Sequence, residues 1–312
     1  MAGGLPKDPR DLRKLAREIV GGDPTTYTDD ITDAAEAALT ANVTGGTVSF
    51  ARRLAEAQDL ESRLPRASRS LEKTDLQQFS TPLPLAVAAQ QAANVQPGDT
   101  VLEPTAGTGH LVSTLDAETV TVQVSELSPR RARLLKALGY TVTEGDYLAD
   151  LSKKETADVI ITNPPWGKYT TGKYGKPVGL KFTPGDVAER FVAKNVRDVK
   201  DGGRIVAVMP TTMLGPAGHM FRAFLTKEGR ITALVKSPPK AYETRSTSVE
   251  SVLLVFDKGA TGDPATLVEP TTWEEYAQVI EAIPPREARR ADVERPTQQP
   301  AAGRPTSVAG PA

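Results

Sequence analysis

The tetrapeptide Asn163-Pro164-Pro165-Trp166 follows directly on the apolar run Asp158-Val159-Ile160-Ile161-Thr162. An amide, two prolines and an indole at the end of a buried strand suit chemistry on a planar amine. Such an amine is a poor nucleophile because its lone pair is delocalised into the ring. Two acceptors on its protons favour a pyramidal, more reactive nitrogen, and the Asn163 side-chain oxygen and the Pro164 carbonyl are the candidates. The prolines fix φ and remove N–H donors, so the carbonyl direction is preset. The nitrogen can then attack a methyl group in line, with no covalent enzyme intermediate, and positioning and electrostatics supply the acceleration. Trp166 offers a face for a base drawn out of its stack.

The methyl donor has its own segment upstream. Val101-Leu102-Glu103-Pro104-Thr105-Ala106-Gly107-Thr108-Gly109 reads as a strand, a glycine turn and a helix starting near His110. Glycines let the backbone turn tightly and approach a ligand without a Cβ in the way. An acid at the strand end repels a pyrophosphate but attracts the ammonium and sulfonium of S-adenosyl-L-methionine, which is therefore the expected cofactor. The second strand ends at Glu126, where a carboxylate can accept both ribose hydroxyls. The third ends at Glu144-Gly145-Asp146-Tyr147, with Asp146 placed to accept from the adenine amino group. These acids all sit at carboxyl ends of strands, where open α/β sheets bind ligands. Cofactor contacts are thus expected from Glu103, Pro104, Thr105, Ala106, Gly107, Gly109, Glu126, Asp146, Tyr147 and Asn163.

Seven strand segments must position these residues: Thr100–Glu103, Val120–Glu126, Thr141–Thr143, Asp158–Thr162, Arg204–Met209, Ile231–Lys236 and Val249–Asp257. Helical segments lie between them, including Pro129–Leu138, Val187–Val199 and Gly218–Lys227. Alternating apolar strands and helices predict a Rossmann-like α/β domain, with a mostly parallel sheet covered on both faces. The connection Ser237–Ser248 is too short and polar for a crossover helix, so the last strand is expected to enter antiparallel. The domain spans 76–258. Before it, 1–75 reads as a small helical region, with helical spacing over Asp30–Leu39 and Val48–Leu64. After it come a C-terminal helix within 259–283 and a Pro-, Ala- and Arg-rich tail, 284–312, expected to be disordered.

The chain has 312 residues, 39% of them hydrophobic, and a formal charge of -1. No global basic field draws it to nucleic acid, so any such contact must be local. With 0 cysteines and 2 histidines, disulfides, thiolate chemistry and multi-histidine metal sites are not expected. No apolar leader or membrane-length run is present, so the reading is a cytoplasmic protein without membrane contact.

Residues 76–258 resemble the N6-adenine DNA methyltransferases in a γ-like motif order. The similarity is greatest to the methyltransferase module found with strawberry-notch-like helicases in phages and plasmids. Four segments carry it: Gln78-Phe79-Ser80-Thr81-Pro82, Glu103–Gly109, Asn163–Trp166, and Pro238-Pro239-Lys240-Ala241-Tyr242 followed by Thr247-Ser248-Val249 and Val252–Phe256. The resemblance implies a class I fold and methylation of adenine N6 in DNA. It further implies that Phe79 and Thr81 line the cofactor and that Tyr242 stacks on the flipped adenine opposite Trp166. Sequence-specific members have a large recognition domain after the last strand. Here only a helix and a tail follow, so either specificity is low, or a partner such as a helicase or specificity subunit supplies recognition, or the N-terminal region does.

Gly167–Phe182 carries Lys168, Lys173, Lys176 and Lys181 with Tyr169 and Tyr174 and no acids, a mixture suited to phosphate contact and base stacking. Lys236, Lys240 and Arg245 are candidates for the opposite wall. Arg130, Arg131 and Arg133 read as decoration of an exposed helix, and His110 and His219 show no partner pattern. Other readings are methylation of RNA or of a protein glutamine, and a non-catalytic cofactor-binding subunit of a helicase or restriction complex.

Overall fold

The computed structural model describes Asp33, Glu36 and residues 48–63, 80–150, 154–168, 182, 184–243 and 249–286. The elements run α1 (Phe50–Arg63), α2 (Leu83–Ala93), β1 (Thr100–Glu103), β2 (Thr121–Glu126), α3 (Pro129–Ala137), β3 (Thr141–Glu144), β4 (Ala157–Thr162), α4 (Val187–Asp198), β5 (Val199–Pro210), α5 (His219–Glu228), β6 (Gly229–Lys236), β7 (Ser251–Lys258), β8 (Leu267–Val268) and α6 (Trp273–Glu281). Asp33 and Glu36 are also helical.

Eight strands form one sheet in the order β3-β2-β1-β4-β5-β7-β6-β8. β1 to β5 pair in parallel, and β7 runs antiparallel to both β5 and β6. The burial of each strand follows from its place. Every residue of β4 and of β7 is buried, as a strand covered on both faces requires. β3, at the edge, is mostly exposed.

The sequence-based expectation of an antiparallel seventh strand holds, but two details differ. The chain adds an eighth strand beyond Lys258: Leu267–Val268 pairs in parallel with Leu234–Val235. Two residues are too few to show an alternating pattern. This strand is seated by a backbone bond from Ala265 N–H to the Ile231 carbonyl at 2.8 Å. The helix expected near His110 is a single 3₁₀ turn, His110–Val112. α2, which precedes β1 in the chain, packs there instead, and nearly all of its side chains are buried.

α2 begins at a stiff segment. Pro82 is its N-cap and carries no side-chain cap. The Leu83 N–H donates to Glu61 Oε2 of α1 at 2.9 Å, satisfying one of the orphan donors of the first turn. Phe50, Leu54, Ala57 and Leu60 of α1 join the same apolar cluster as α2, β1 and β4.

A buried ion pair ties the middle of the sheet together. Arg204 of β5 and Asp257 of β7 are register partners, joined by Nε–Oδ1 at 2.7 Å and Nη2–Oδ2 at 2.9 Å. Arg204 Nη1 also donates to the Ala92 carbonyl of α2 at 3.0 Å. Removing one member leaves the other charge buried without compensation. Asp257→Ala is therefore expected to cost about 3–5 kcal/mol in denaturant-induced unfolding. The joint replacement of Arg204 by Met and Asp257 by Leu should cost much less, whereas equal losses would mean that the pair contributes only packing.

Candidate active site

The carboxyl ends of β1, β2 and β4 open into a cavity of about 270 Å³. Thr81, Glu103, Pro104, Thr105, Ala106, Gly107, Glu126, Asp146, Tyr147, Asn163, Pro164, Pro165, Trp166 and Tyr242 line it. Residues from six separate stretches of sequence thus share one space. Gly109 is not in the lining. Its φ of +85° makes the turn, and its α-carbon packs toward Leu135 and Tyr140. Lys168 stands exposed just past the lining. Phe79, Lys173 and Lys176 lie outside the described residues, as do Tyr169, Tyr174, Lys181 and Arg245.

Two buried carboxylates dominate one end. Glu103 ends β1 at 2% exposure, and its Oε2 has no hydrogen-bond partner. Burial pushes its carboxyl well above the ordinary glutamate range, and the nearby Glu126 pushes it further. Glu126 is raised less. Burial acts on it first, but Arg131 and backbone N–H groups oppose the shift. Glu126 Oε2 accepts from Gly107 N–H at 2.8 Å and Oε1 from Ser128 N–H at 2.7 Å, so the carboxylate braces the glycine turn. Asp146 Oδ1 accepts from Leu148 N–H at 2.9 Å and caps its own turn. The Tyr147 hydroxyl faces away into the core, donating to Asp198 Oδ2 at 2.6 Å or Asn195 Oδ1 at 2.8 Å, so its ring is what the cavity meets.

The tetrapeptide closes the other end. Asn163 Nδ2 donates to Thr81 Oγ1 at 3.0 Å. Thr105 Oγ1 donates to the Asn163 carbonyl at 3.2 Å and also meets Thr162 Oγ1 at 3.0 Å. Trp166 Nε1 donates to the Val208 carbonyl at 3.3 Å, which fixes the indole against β5. Beyond it, both carboxylate oxygens of Asp186 lie 3.2 Å from Gly167 N–H, and Oδ1 caps α4 through Ala188 N–H at 2.9 Å. The exit of the tetrapeptide is thereby anchored to the next helix.

The expected pairing of Trp166 with Tyr242 takes another form. The rings meet edge to face, with centroids 5.8 Å apart at 65°. A base between two parallel plates needs about 3.5 Å to each face. In this arrangement Tyr242 is not a second plate, and it is 2% exposed. Lys236 is held by Glu250 at 3.1 Å and Glu269 at 3.3 Å, so it is not a free cation on the opposite wall.

Arg131 corrects the reading of α3 as an exposed basic helix. It is 2% exposed, lines the cavity and pairs with Asp33, with Nε to Oδ2 at 3.0 Å. The partner is nearly a hundred residues away, and local spacing gives no sign of it. His110, without an expected role, also lines the cavity, and its Nδ1 lies 2.7 Å from the Thr81 carbonyl. Ser80, Thr108, Gly145 and Val249, from segments already singled out, also line it, together with Gly167 and with Leu111, Leu127 and Phe191, which belong to no motif. Among the described residues no group of three or more His, Asp or Glu side chains could hold a metal ion, and no helix is long and apolar enough to cross a membrane.

Residues 136–276 match the family described as N-6 DNA Methylase. No curated protein matches the chain by sequence. Among solved structures, a protein described as a class I S-adenosylmethionine-dependent methyltransferase from Listeria monocytogenes is similar at TM-score 0.61 and 16% identity. That similarity covers 88% of this chain and 98% of the other. The type I restriction-modification methyltransferase subunit from Streptococcus thermophilus is similar at TM-score 0.56 and 19% identity, covering 75% of this chain and 58% of that one. A modification subunit of a type I restriction enzyme from Vibrio vulnificus gives TM-score 0.54 at 18% identity, with the same coverages of 75% and 58%. The chain thus spans little more than half of either restriction-system subunit. The fold is that of class I methyltransferases, and the family match supports a methyltransferase.

The raised carboxyl of Glu103 has a consequence for stability. A carboxyl whose folded pKa lies above its unfolded value takes stability away as pH rises from about 4.5 through the raised value. Glu103→Gln should therefore raise the melting temperature of the ligand-free protein at pH 7.5 by at least about 2 °C, and leave it unchanged near pH 4. Equal melting temperatures at both pH values would place this carboxylate in water.

Proposed function

We propose that the protein transfers a methyl group from S-adenosyl-L-methionine to the N6 amine of adenine in DNA. The single observation that carries the reading is the shared cavity of Glu103 and Asn163, one an unpartnered buried acid and the other an amide tied by its nitrogen. The residues fit the cofactor. Glu103 Oε2 is a buried acceptor in search of a donor, and an ammonium group would satisfy it and favour its ionised form. Glu126 would hold the ribose hydroxyls and Asp146 the adenine amino group. When bound, the cofactor supplies a methyl carried on a positively charged sulfur.

Asn163 and Pro164 act on the acceptor. With Nδ2 donated to Thr81, the amide presents Oδ1, an acceptor, to an incoming amine. Together with the Pro164 carbonyl it would take the two amine protons and direct the nitrogen lone pair toward the methyl. Formation of the new N–C bond would leave the electron pair of the S–C bond on the sulfur of the donor, and the amine, held by Asn163 and Pro164, would release one proton toward water. Trp166, fixed through Nε1, gives the base a face to rest on.

Adenine in DNA is favoured by the family match and by Trp166 in the fourth position of the tetrapeptide. Lys168, Lys173 and Lys176 are proposed to contact the phosphates of the strand. The likeness to type I modification subunits favours a partner that chooses the site, such as a specificity subunit. The narrower likeness to strawberry-notch-associated modules would make that partner a helicase. Four parts are proposed: a helical N-terminal region over 1–75, the methyltransferase domain over 76–258, a C-terminal helix within 259–283 and a tail over 284–312, all in the cytoplasm.

Incubation with methyl-labelled cofactor and separate DNA, RNA and protein pools, followed by nucleoside analysis, tests the reading. N6-methyladenine in DNA is the expected product, and label confined to RNA or protein would overturn it. Asn163→Ala should reduce transfer by about 100-fold or more while cofactor affinity changes little. A parallel loss of affinity would move Asn163 from the transfer step to cofactor binding.

A further inference from the structure

The segment Ser80-Thr81-Pro82-Leu83 touches the catalytic tetrapeptide yet is far from it in sequence. It is pinned at three of its four positions. Ser80 Oγ donates to Glu36 Oε2 at 2.6 Å, and Leu83 N–H donates to Glu61 Oε2 at 2.9 Å. His110 Nδ1 donates to the Thr81 carbonyl at 2.7 Å; a carbonyl can only accept, so this nitrogen carries the proton. His110 is itself held, because Gln90 Nε2 of α2 donates to the His110 carbonyl at 2.9 Å. Pro82 removes further backbone freedom. The Thr81 hydroxyl is thus set in place by three elements, and it accepts from Asn163 Nδ2 at 3.0 Å.

An asparagine amide is nearly symmetric in shape, and a half-turn exchanges its acceptor for a donor. Transfer to an amine needs the acceptor facing the cavity. We infer that Thr81 and His110 are positioning residues for the reaction: Thr81 ties down the Asn163 NH₂ group so that Oδ1 faces the substrate, and His110 holds Thr81 at the right height. This deepens the methyl-transfer reading and rests on it for its purpose, but the orientation itself can be observed without turnover. It also gives Thr81 work beyond lining the cofactor.

The chain has four asparagines, Asn42, Asn94, Asn163 and Asn195, so selective ¹⁵N-asparagine labelling gives a sparse side-chain amide spectrum. The Asn163 pair is assigned by its loss in Asn163→Asp. In the ligand-free protein, Thr81→Val should shift this pair and speed its exchange with water, Thr81→Ser should leave it in place, and His110→Phe should displace it partly. In single-turnover transfer, Thr81→Val should slow methylation roughly 10- to 100-fold, and Thr81→Ser should restore it. Affinity for S-adenosylhomocysteine should change by less than about threefold in both variants. An Asn163 signal indifferent to Thr81→Val overturns the inference, as does a loss of affinity matching the loss of rate. An unmoved signal in His110→Phe removes His110 from it. If the signal moves as expected but the wild-type protein methylates no pool, the positioning stands and the assignment of the reaction fails.

Discussion

The site is organised around a carboxylate kept out of water. Glu103 sits at the end of β1 with one oxygen unpartnered and Glu126 close enough to repel it. A second acid beside a buried acid is unfavourable unless something positive occupies the space between them and the cavity. The fold accepts this cost at one place and answers it at the neighbours. Gly107 and Ser128 give their backbone N–H groups to Glu126, and Arg131 stands beside it, itself balanced by Asp33. Of the two acids, Glu103 is the one left with an unpartnered oxygen to be satisfied from outside. A ligand bearing a cation fits that arrangement, and an anionic pyrophosphate does not.

Two supports hold the Asn163 end of the cavity relative to this acid. One is the sheet: β1 and β4 are neighbours, so Glu103 and Asn163 emerge side by side at the same edge of the barrier between core and solvent. The other is the segment before α2, which reaches over the strand ends and ties Asn163 through Thr81. Asp186 performs the matching task at the exit of the tetrapeptide. The prolines alone would set backbone angles, but they cannot decide which way an amide points or where an indole rests. Those settings come from Thr81 and Val208, residues distant in sequence.

Much of this was legible in the chain. β4, β5, β6 and β7 could be read from apolar runs, because a buried strand needs continuous Val, Ile and Leu, and the antiparallel entry of β7 followed from a connection too short for a helix. The acids at strand ends could be read because a glycine turn or a strand boundary marks each one. What stayed hidden depends on long-range pairing. Arg131 looks like a solvated arginine until Asp33 is placed beside it, and nothing within α3 announces that partner. His110 has no neighbour pattern because it binds a backbone carbonyl, which any residue could supply. β8 is too short for its period to show. The edge-to-face contact of Trp166 with Tyr242 is a matter of side-chain angle, which spacing does not encode.

The measurement that bears most directly on this account is the pH dependence of S-adenosyl-L-methionine binding to the ligand-free protein. If Glu103 is a buried acid waiting for a cation, the dissociation constant should fall as pH rises from the ordinary glutamate range toward neutrality, because the proton must leave before the ammonium is held. The fall should level off once Glu103 is ionised, and Glu103→Gln should bind at least about tenfold more weakly with most of the slope gone. Binding that is independent of pH in the wild-type protein, or a Gln variant with unchanged slope and affinity, would contradict the central role of Glu103.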